Sequence, residues 1–447
     1  MKYAKSRRLQ KRAHHAIPGG CHTYAKGDDQ FPLVAPGVIS HGKGAHVWDV
    51  DGNRFIEYGI GCRAVTLGHA FEPIVDAVRN ELTKGVNFSR PAEIEINCAE
   101  MLLSMIDSAE MCKFAKDGSD VTSAAIKLSR AATRRPMIAI CQDHPFFSID
   151  DWFIGTTKIN AGIPSEIQRL TVGFRYNDPD SLKDLFNKYP DQIACVILEP
   201  AKYTEPEDGF LHKVRELCDE YGALLIFDEM ITGFRWDNGG AQKVYEVKPD
   251  ISTFGKALAN GFSVSALLGK RKYLELGGLY HDRERVFLLS TTHGAETHGL
   301  AAAMATMEFY QNNPVIETLA TRGKWLKDGI DRVIRDLKLE PYVSVIGRPC
   351  NLVFGTKDQD GKPSQPFRTL LMQELIKRGI LGTSLVVCYS HTHDDIVHTV
   401  QAFEKSLRVY RKALNQGVEN FLFGRPTDVV YRRFNGANYR TFPAAHA

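Results

Sequence analysis

The stretch ALLIFDEMITGFRWDNGGAQKVYEVKPDISTFGKALANG, residues 223–261, decides the reading of the fold. It opens on a short continuous apolar run, ALLIFDE (223–229), and reaches a second, DISTFG (250–255). Asp228 stands at the carboxyl end of the first, and Lys256 lies just beyond the second. Runs this short and this apolar suit strands covered on both faces. Four further runs share the character: MIAICQ (137–142), ACVILE (194–199), SALLGK (265–270) and VFLLST (286–291). Helical patterns separate them, so residues from about 110 to 300 read as α/β with a mainly parallel sheet.

Outward from this core the pattern changes. AHVWDVDGNRFIEY (45–58) reads as a hairpin turning at Asp51-Gly52-Asn53. Residues 1–45 read as an irregular arm, and 72–85 and 92–106 as helices. A long helix begins near residue 299, followed by an α+β pattern with helices over 315–337, 366–379 and 392–414 and a strand-like run over 350–356. The expected organisation is an arm and hairpin belonging to a smaller domain (1–70), a large domain (71–314), a C-terminal part of the small domain (315–425) and a tail (426–447) without periodicity.

The 447 residues suit two or three lobes around a large core. Hydrophobic content of 43% and charged content of 24% are those of a soluble globular protein. A formal net charge of +3 makes no case for a nucleic-acid surface. No run reaches the about 18 apolar residues of a membrane-spanning helix. The basic N-terminus lacks the apolar core of a secretory signal. Nine scattered cysteines without a C-x-x-C pair read as reduced thiols in a cytoplasmic protein.

Four features fit one chemistry. Burial costs a lysine dearly unless it is paired or reactive, and a partly desolvated Lys256 can form a Schiff base with an aldehyde. Asp228, at a strand's carboxyl end where parallel sheets bind ligands, asks for a cationic partner such as a protonated pyridine nitrogen. In KDGSDVTSAAIKLSRAATRR (116–135), Gly118-Ser119-Asp120 opens a helix whose free N–H groups suit a phosphate. LSTTHGAETHG (289–299) offers hydroxyls for a second phosphate contact. Together these describe a site for pyridoxal 5'-phosphate, with the cofactor as electron sink and Lys256 as proton shuttle.

The same residues resemble the class-III aminotransferases of pyridoxal-phosphate fold type I, with the glutamate-1-semialdehyde 2,1-aminomutase branch nearest. LLIFDEMITGFR (224–235) and ISTFGKALANG (251–261) are similar to that family's aspartate and lysine motifs, and DGSDVTSAAIKLSR (117–130) to its phosphate-loop helix. VWDVDGNRFIEY (47–58) and LGHAFEPIVDAV (67–78) resemble its N-terminal segment. The resemblance implies a mainly parallel seven-stranded sheet in a large domain beside a smaller α+β domain. It implies a homodimer with active sites at the interface, where Thr292 reaches the neighbouring subunit's phosphate. It places Glu199 near the cofactor, Met230 on one ring face, and Phe146 or Phe147 on the other. The implied activity is transfer of an amino group from an amino-acid donor to an aldehyde or keto acceptor, with small molecules, not nucleic acid or membrane, as partners.

The departures bear on substrate. The aminomutases place a carboxylate-gripping arginine shortly after Pro-Gly-Gly, whereas PGGCHTYAKGDDQFP (18–32) offers only Lys26, which cannot make a bidentate fork. No glutamate aligns near GTSLVVCYSHTHDD (382–395) with the one the aminomutases carry. Both gaps favour transamination, with aminomutase-type intramolecular transfer as the alternative. His22, Tyr24 and Lys26 suit a polar acceptor, and HTYAKGDDQFP (22–32) resembles relatives tied to sugar pathways. Arg235 is not read as the donor's anchor; a role in holding the loop after Asp228 stays open. GIGCRA (59–64) fits a dinucleotide fingerprint, but Gly68 and Pro73 break the helix it needs. SHTHDD (390–395) could be a metal cluster, yet Thr392 or Asp394 reads more simply as a helix cap, so no metal is expected.

Overall fold

The computed structural model describes residues 3–143 and 147–436. The chain enters through a helix, Ala4–Ala16, where an irregular arm is expected from the sequence. Its cap is remote. The Asp51 carboxylate accepts the N–H groups of Lys5 and Ser6, each at 2.8 Å, so no local signal announces the helix. Strands β1 (Ile39–Lys43), β2 (His46–Asp49) and β3 (Arg54–Glu57) follow as an antiparallel ribbon. The expected hairpin joins β2 to β3, and the Asp49 side chain ties its turn by accepting from Asp51 N and Asn53 N. Ile380–Leu381 adds to β3 in parallel, joining the two ends of the chain in one sheet.

The central sheet has seven strands: β4 (Met111–Ala115), β5 (Met137–Cys141), β6 (Thr171–Phe174), β7 (Ile193–Leu198), β8 (Leu224–Asp228), β9 (Ile251–Phe254) and β10 (Ser265–Gly269). Their order is β4-β10-β9-β8-β7-β5-β6. Neighbours from β9 through β6 run parallel, and β10 is antiparallel to both β9 and β4. Five of the six apolar runs read from the sequence are strands. VFLLST (286–291) is not: Val286 and Leu288 are buried, but the segment joins no ladder. Burial alone made it look like a strand. β4 and β6 escape the reading because Lys113 and Gly173 interrupt their apolar character.

Successive side chains of each strand feed opposite layers. Ile226 of β8 packs with Ile197, Ile140 and the helix Gly118–Thr133. Leu225 and Phe227 face the other way, onto helices Pro179–Lys188 and Phe210–Tyr221. Each such large side chain, fully buried, contributes about 1.5–3 kcal/mol. A third cluster gathers the helices Glu72–Leu82, Glu93–Met105, Thr297–Asn312, Val315–Asp336, Gln365–Ile376 and His393–Gln416. Thr392 caps the last of these by accepting from Asp395 N. His391 and His393 do not converge. His391 is buried and stacked on Tyr58 at 4.5 Å, whereas His393 is exposed beside Trp325.

Candidate active site

β7, β8 and β9 end side by side, and each end delivers one ionisable side chain: Glu199, Asp228 and Lys256. Beyond β9, Gly255 stays extended and Lys256 turns left-handed, with φ 47°, into the one-turn helix Lys256–Ala259. A left-handed lysine costs about 1–3 kcal/mol and persists only where its surroundings hold it. Asn260 does so: its Oδ1 accepts from Leu67 N at 2.9 Å and its Nδ2 donates to Gly68 O at 3.1 Å. Burial pushes the Lys256 ammonium below the usual lysine range, and the charges of Asp228 and Glu199 oppose that.

Asp228 is 2% exposed. Burial pushes its carboxyl up to about 7; the Lys256 charge opposes this and the Glu199 charge adds to it. Its Oδ1 accepts from Met230 N at 3.0 Å and from Thr253 Oγ1 at 3.3 Å, which fixes the plane of the group. Glu199 is also buried. Its Oε1 meets Lys202 Nζ at 3.4 Å, and its Oε2 has no hydrogen-bond partner among the described residues. The sulfur of Met230 lies against two glycines: a Cβ would sit 3.3 Å from it at Gly118 and 2.6 Å at Gly255. The same methionine thus touches the ends of the lysine loop and of the helix Gly118–Thr133.

The helix start at Gly118 is capped by its own chain. The Asp117 carboxylate accepts from Ser119 N at 2.8 Å and Asp120 N at 3.2 Å. The Asp120 carboxylate accepts in return from Asp117 N and Lys116 N. Ser119 Oγ accepts from Ile149 N at 3.0 Å. Of the N–H groups read from the sequence as free for an anion, those of Ser119 and Asp120 are therefore engaged by Asp117.

The other sequence candidates are dispersed. Phe147 is 2% exposed and packs edge-on against Phe153, with centroids 5.5 Å apart, as a core ring. Phe146 lies outside the described residues. Thr292 is exposed, and its carbonyl accepts from Asn87 Nδ2. The Lys116–Glu296 ion pair, at 2.8 Å, ties its segment to the strand that leads into Gly118. His22, Tyr24 and Lys26 are exposed, and no hydrogen bond joins them to Lys256, Asp228 or Glu199 among the described residues.

Several residues of the site lie outside the sequence reading. Asp117 precedes Gly118 directly and was readable as a cap. Lys202 pairs with Glu199 from the loop after β7, where no helical spacing signals the contact. Asn351 and Arg63 come from distant segments: Arg63 Nε donates to Asn351 Oδ1 at 2.9 Å, across 288 residues. Arg235, 1% exposed, donates to the carbonyls of Ile231 and Arg63, so it holds the loop after Asp228 and a second loop besides.

Comparison with known proteins gives one consistent result. The family model for aminotransferase class-III matches residues 23–348. A 3-aminobutyryl-CoA aminotransferase from Cloacimonas acidaminovorans is 32% identical over 93% of this chain and 99% of its own. A glutamate-1-semialdehyde 2,1-aminomutase from Natronomonas pharaonis is 30% identical over 91% of this chain and 100% of its own. Among solved structures, the Sphingopyxis sp. MTA144 FumI protein in its PLP internal aldimine form superposes with a TM-score of 0.84 at 27% identity, covering 94% of this chain and 98% of that one. An omega-transaminase from Sphaerobacter thermophilus gives 0.82 at 25% identity, covering 92% and 98%. The fold is the type I architecture that the sequence resemblance implies. With its family motif spanning the lysine, the aspartate and the helix start, the chain belongs to the class-III aminotransferases.

Proposed function

We propose that this aminotransferase uses the cleft at the ends of β7, β8 and β9 to move an amino group from an amino-acid donor to an aldehyde or keto acceptor. The observation that carries this is the convergence of Asp228 and Lys256 on adjacent strand ends, both desolvated and of opposite charge.

The cofactor is pyridoxal 5'-phosphate, and the residues fit it. Asp228, buried with a raised pKa, suits a cationic ring nitrogen, since a positive partner returns its carboxyl to the ionised form. Met230 presents an apolar wall beside two glycines. The Oε2 of Glu199, buried and without a partner, can accept a hydrogen bond from a ring substituent. Gly118, Ser119 and Asp120 would hold the phosphate, with the Asp117 carboxylate displaced from the N–H groups of Ser119 and Asp120. When bound, the cofactor supplies an electron sink for the substrate carbon. Lys256 Nζ, whose lowered pKa leaves a larger neutral fraction near neutral pH, takes and returns a proton at that carbon.

The exposed apolar side chains Leu279 (72%), Tyr280 (90%) and Phe287 (72%) support a homodimer in which a second copy covers the 279–292 segment and Thr292 acts across the interface. His22, Tyr24 and Lys26 are then free to contact acceptor, which supports a polar acceptor such as a sugar derivative. Residues 1–70 with 315–425 would form the smaller domain flanking the cleft. No described helix is long and apolar enough to cross a membrane, and nine scattered cysteines without a C-x-x-C pair support a cytoplasmic setting.

The test is an absorption spectrum of the purified protein before and after glutamate, then alanine. A coloured protein bleached by a donor is the expected result. A coloured protein indifferent to all donors favours the intramolecular transfer suggested by the aminomutase relative. A protein that takes up no pyridoxal phosphate overturns the reading.

A further inference from the structure

The loop between β3 and the helix Glu72–Leu82 holds an unusual turn. Ile60, Gly61, Cys62 and Arg63 are all left-handed, with φ of 44°, 54°, 59° and 70°. Arg63 N donates to Gly59 O at 3.0 Å and Ala64 N to Ile60 O at 2.9 Å, closing a left-handed helical turn. Such a turn costs about 1–2 kcal/mol for each residue other than glycine, most of all for a β-branched one like Ile60. It persists because tertiary contacts over-determine it. Arg235 Nη2 grips the Arg63 carbonyl at 2.6 Å and Thr66 Oγ1 at 2.9 Å. Asn351, 1% exposed, holds Arg63 Nε. Strain held this firmly marks a place where a side chain must be aimed.

What is aimed is the Arg63 guanidinium. The turn runs into Leu67 and Gly68, which are hydrogen-bonded to Asn260 four residues after Lys256. On its other side, Asn351 Nδ2 reaches Lys202 O at 3.4 Å, and Lys202 pairs with Glu199. Arg63 is only partly buried, its charge interacts with those of Glu199 and Lys256, and no carboxylate lies within ion-pair distance among the described residues. Asn351 uses Nε, which leaves the two terminal nitrogens as a planar fork matched to a carboxylate.

We propose that Arg63, presented by the left-handed turn Ile60–Arg63 and oriented by Asn351, binds the carboxylate of the amino-acid substrate beside Lys256. The assignment deepens the aminotransferase reading and rests on it. It also fills the role for which Lys26 offers no fork.

The experiment titrates holoenzyme with succinate and glutarate, which carry carboxylates but no amine to react, and reads the heat of binding and the cofactor absorption. Wild type is expected to bind at least one of them. Arg63→Met weakens that binding about tenfold or more, the scale of a lost charge-assisted pair. Arg63→Lys keeps the charge without the fork and recovers only part of the affinity. Succinamide, uncharged, binds wild type and variants alike. With alanine as donor, KM rises in both variants and kcat changes less. Equal affinity for the dicarboxylates in all three proteins, or none in wild type, overturns the role of Arg63 while leaving the cofactor reading intact. Failure of wild type to take up pyridoxal phosphate overturns both.

Discussion

Arg235 donates through Nη2 to the main-chain carbonyl of Arg63 at 2.6 Å, bridging 172 residues of chain. With its bond to Ile231 O, one buried guanidinium joins the loop after Asp228 to the turn at 60–63. No carboxylate among the described residues balances it, so its charge is spread over carbonyl dipoles, and burial lowers its pKa. Replacing Arg235 with Met orphans two partly buried carbonyls while relieving the desolvation of the charge. The expected net loss is about 1–3 kcal/mol. A urea midpoint that falls at unchanged m-value would show it, and an unchanged midpoint would refute the clamp.

Lys256→Ala removes the amine but not the pocket. The holoenzyme colour is expected to vanish and turnover to fall to background, while pyridoxamine phosphate, which needs no lysine bond, still binds. Equilibrium dialysis separates the two ligands. Near-normal turnover would sink the assignment of Lys256.

Asp117 competes with any anion for the N–H groups of Ser119 and Asp120. Asp117→Asn keeps a capping oxygen and removes the charge. Cofactor affinity is expected to rise about two- to fivefold, the worth of one charge at a helix N-terminus. A fluorescence titration with pyridoxal phosphate measures it; weaker binding in the variant would contradict the competition.

His391 is fully buried against Tyr58, and burial pushes its imidazole down from 6.5 to about 4. Between these values the unfolded chain binds a proton that the folded chain refuses. Stability contributed by the neutral ring is therefore complete above pH 6.5 and is lost as pH falls toward 4. His391→Asn keeps an acceptor for Cys388 N and should flatten the slope of stability against pH in this window. The difference is at most about 3 kcal/mol, readable from urea unfolding at several pH values.

Gly323 lies where helix Val315–Asp336 meets the turn at Pro349–Asn351. A Cβ there would stand 1.8 Å from Pro349 O, a backbone atom that cannot swing aside. Gly323→Ala is expected to cost more than about 2 kcal/mol in thermal or chemical unfolding, despite alanine's better helix propensity. A stabilised variant would mean that the two segments separate easily.

Features that depend on near neighbours are legible along the chain. Continuous apolar runs marked β5, β7, β8, β9 and β10 because strands covered on both faces need no polar alternation. Asp228 and Lys256 were legible because ionisable residues at the ends of such runs have few structural reasons to be there. Other features arise from contacts between segments far apart in the chain. The helix Ala4–Ala16 takes its cap from Asp51, and Val286 and Leu288 are buried without pairing. The left-handed turn at Arg63 contradicts every local preference of Ile60, Cys62 and Arg63. It exists because Arg235 and Asn351, 172 and 288 residues away, hold it from both sides, and a local pattern contains no trace of contacts made at that separation.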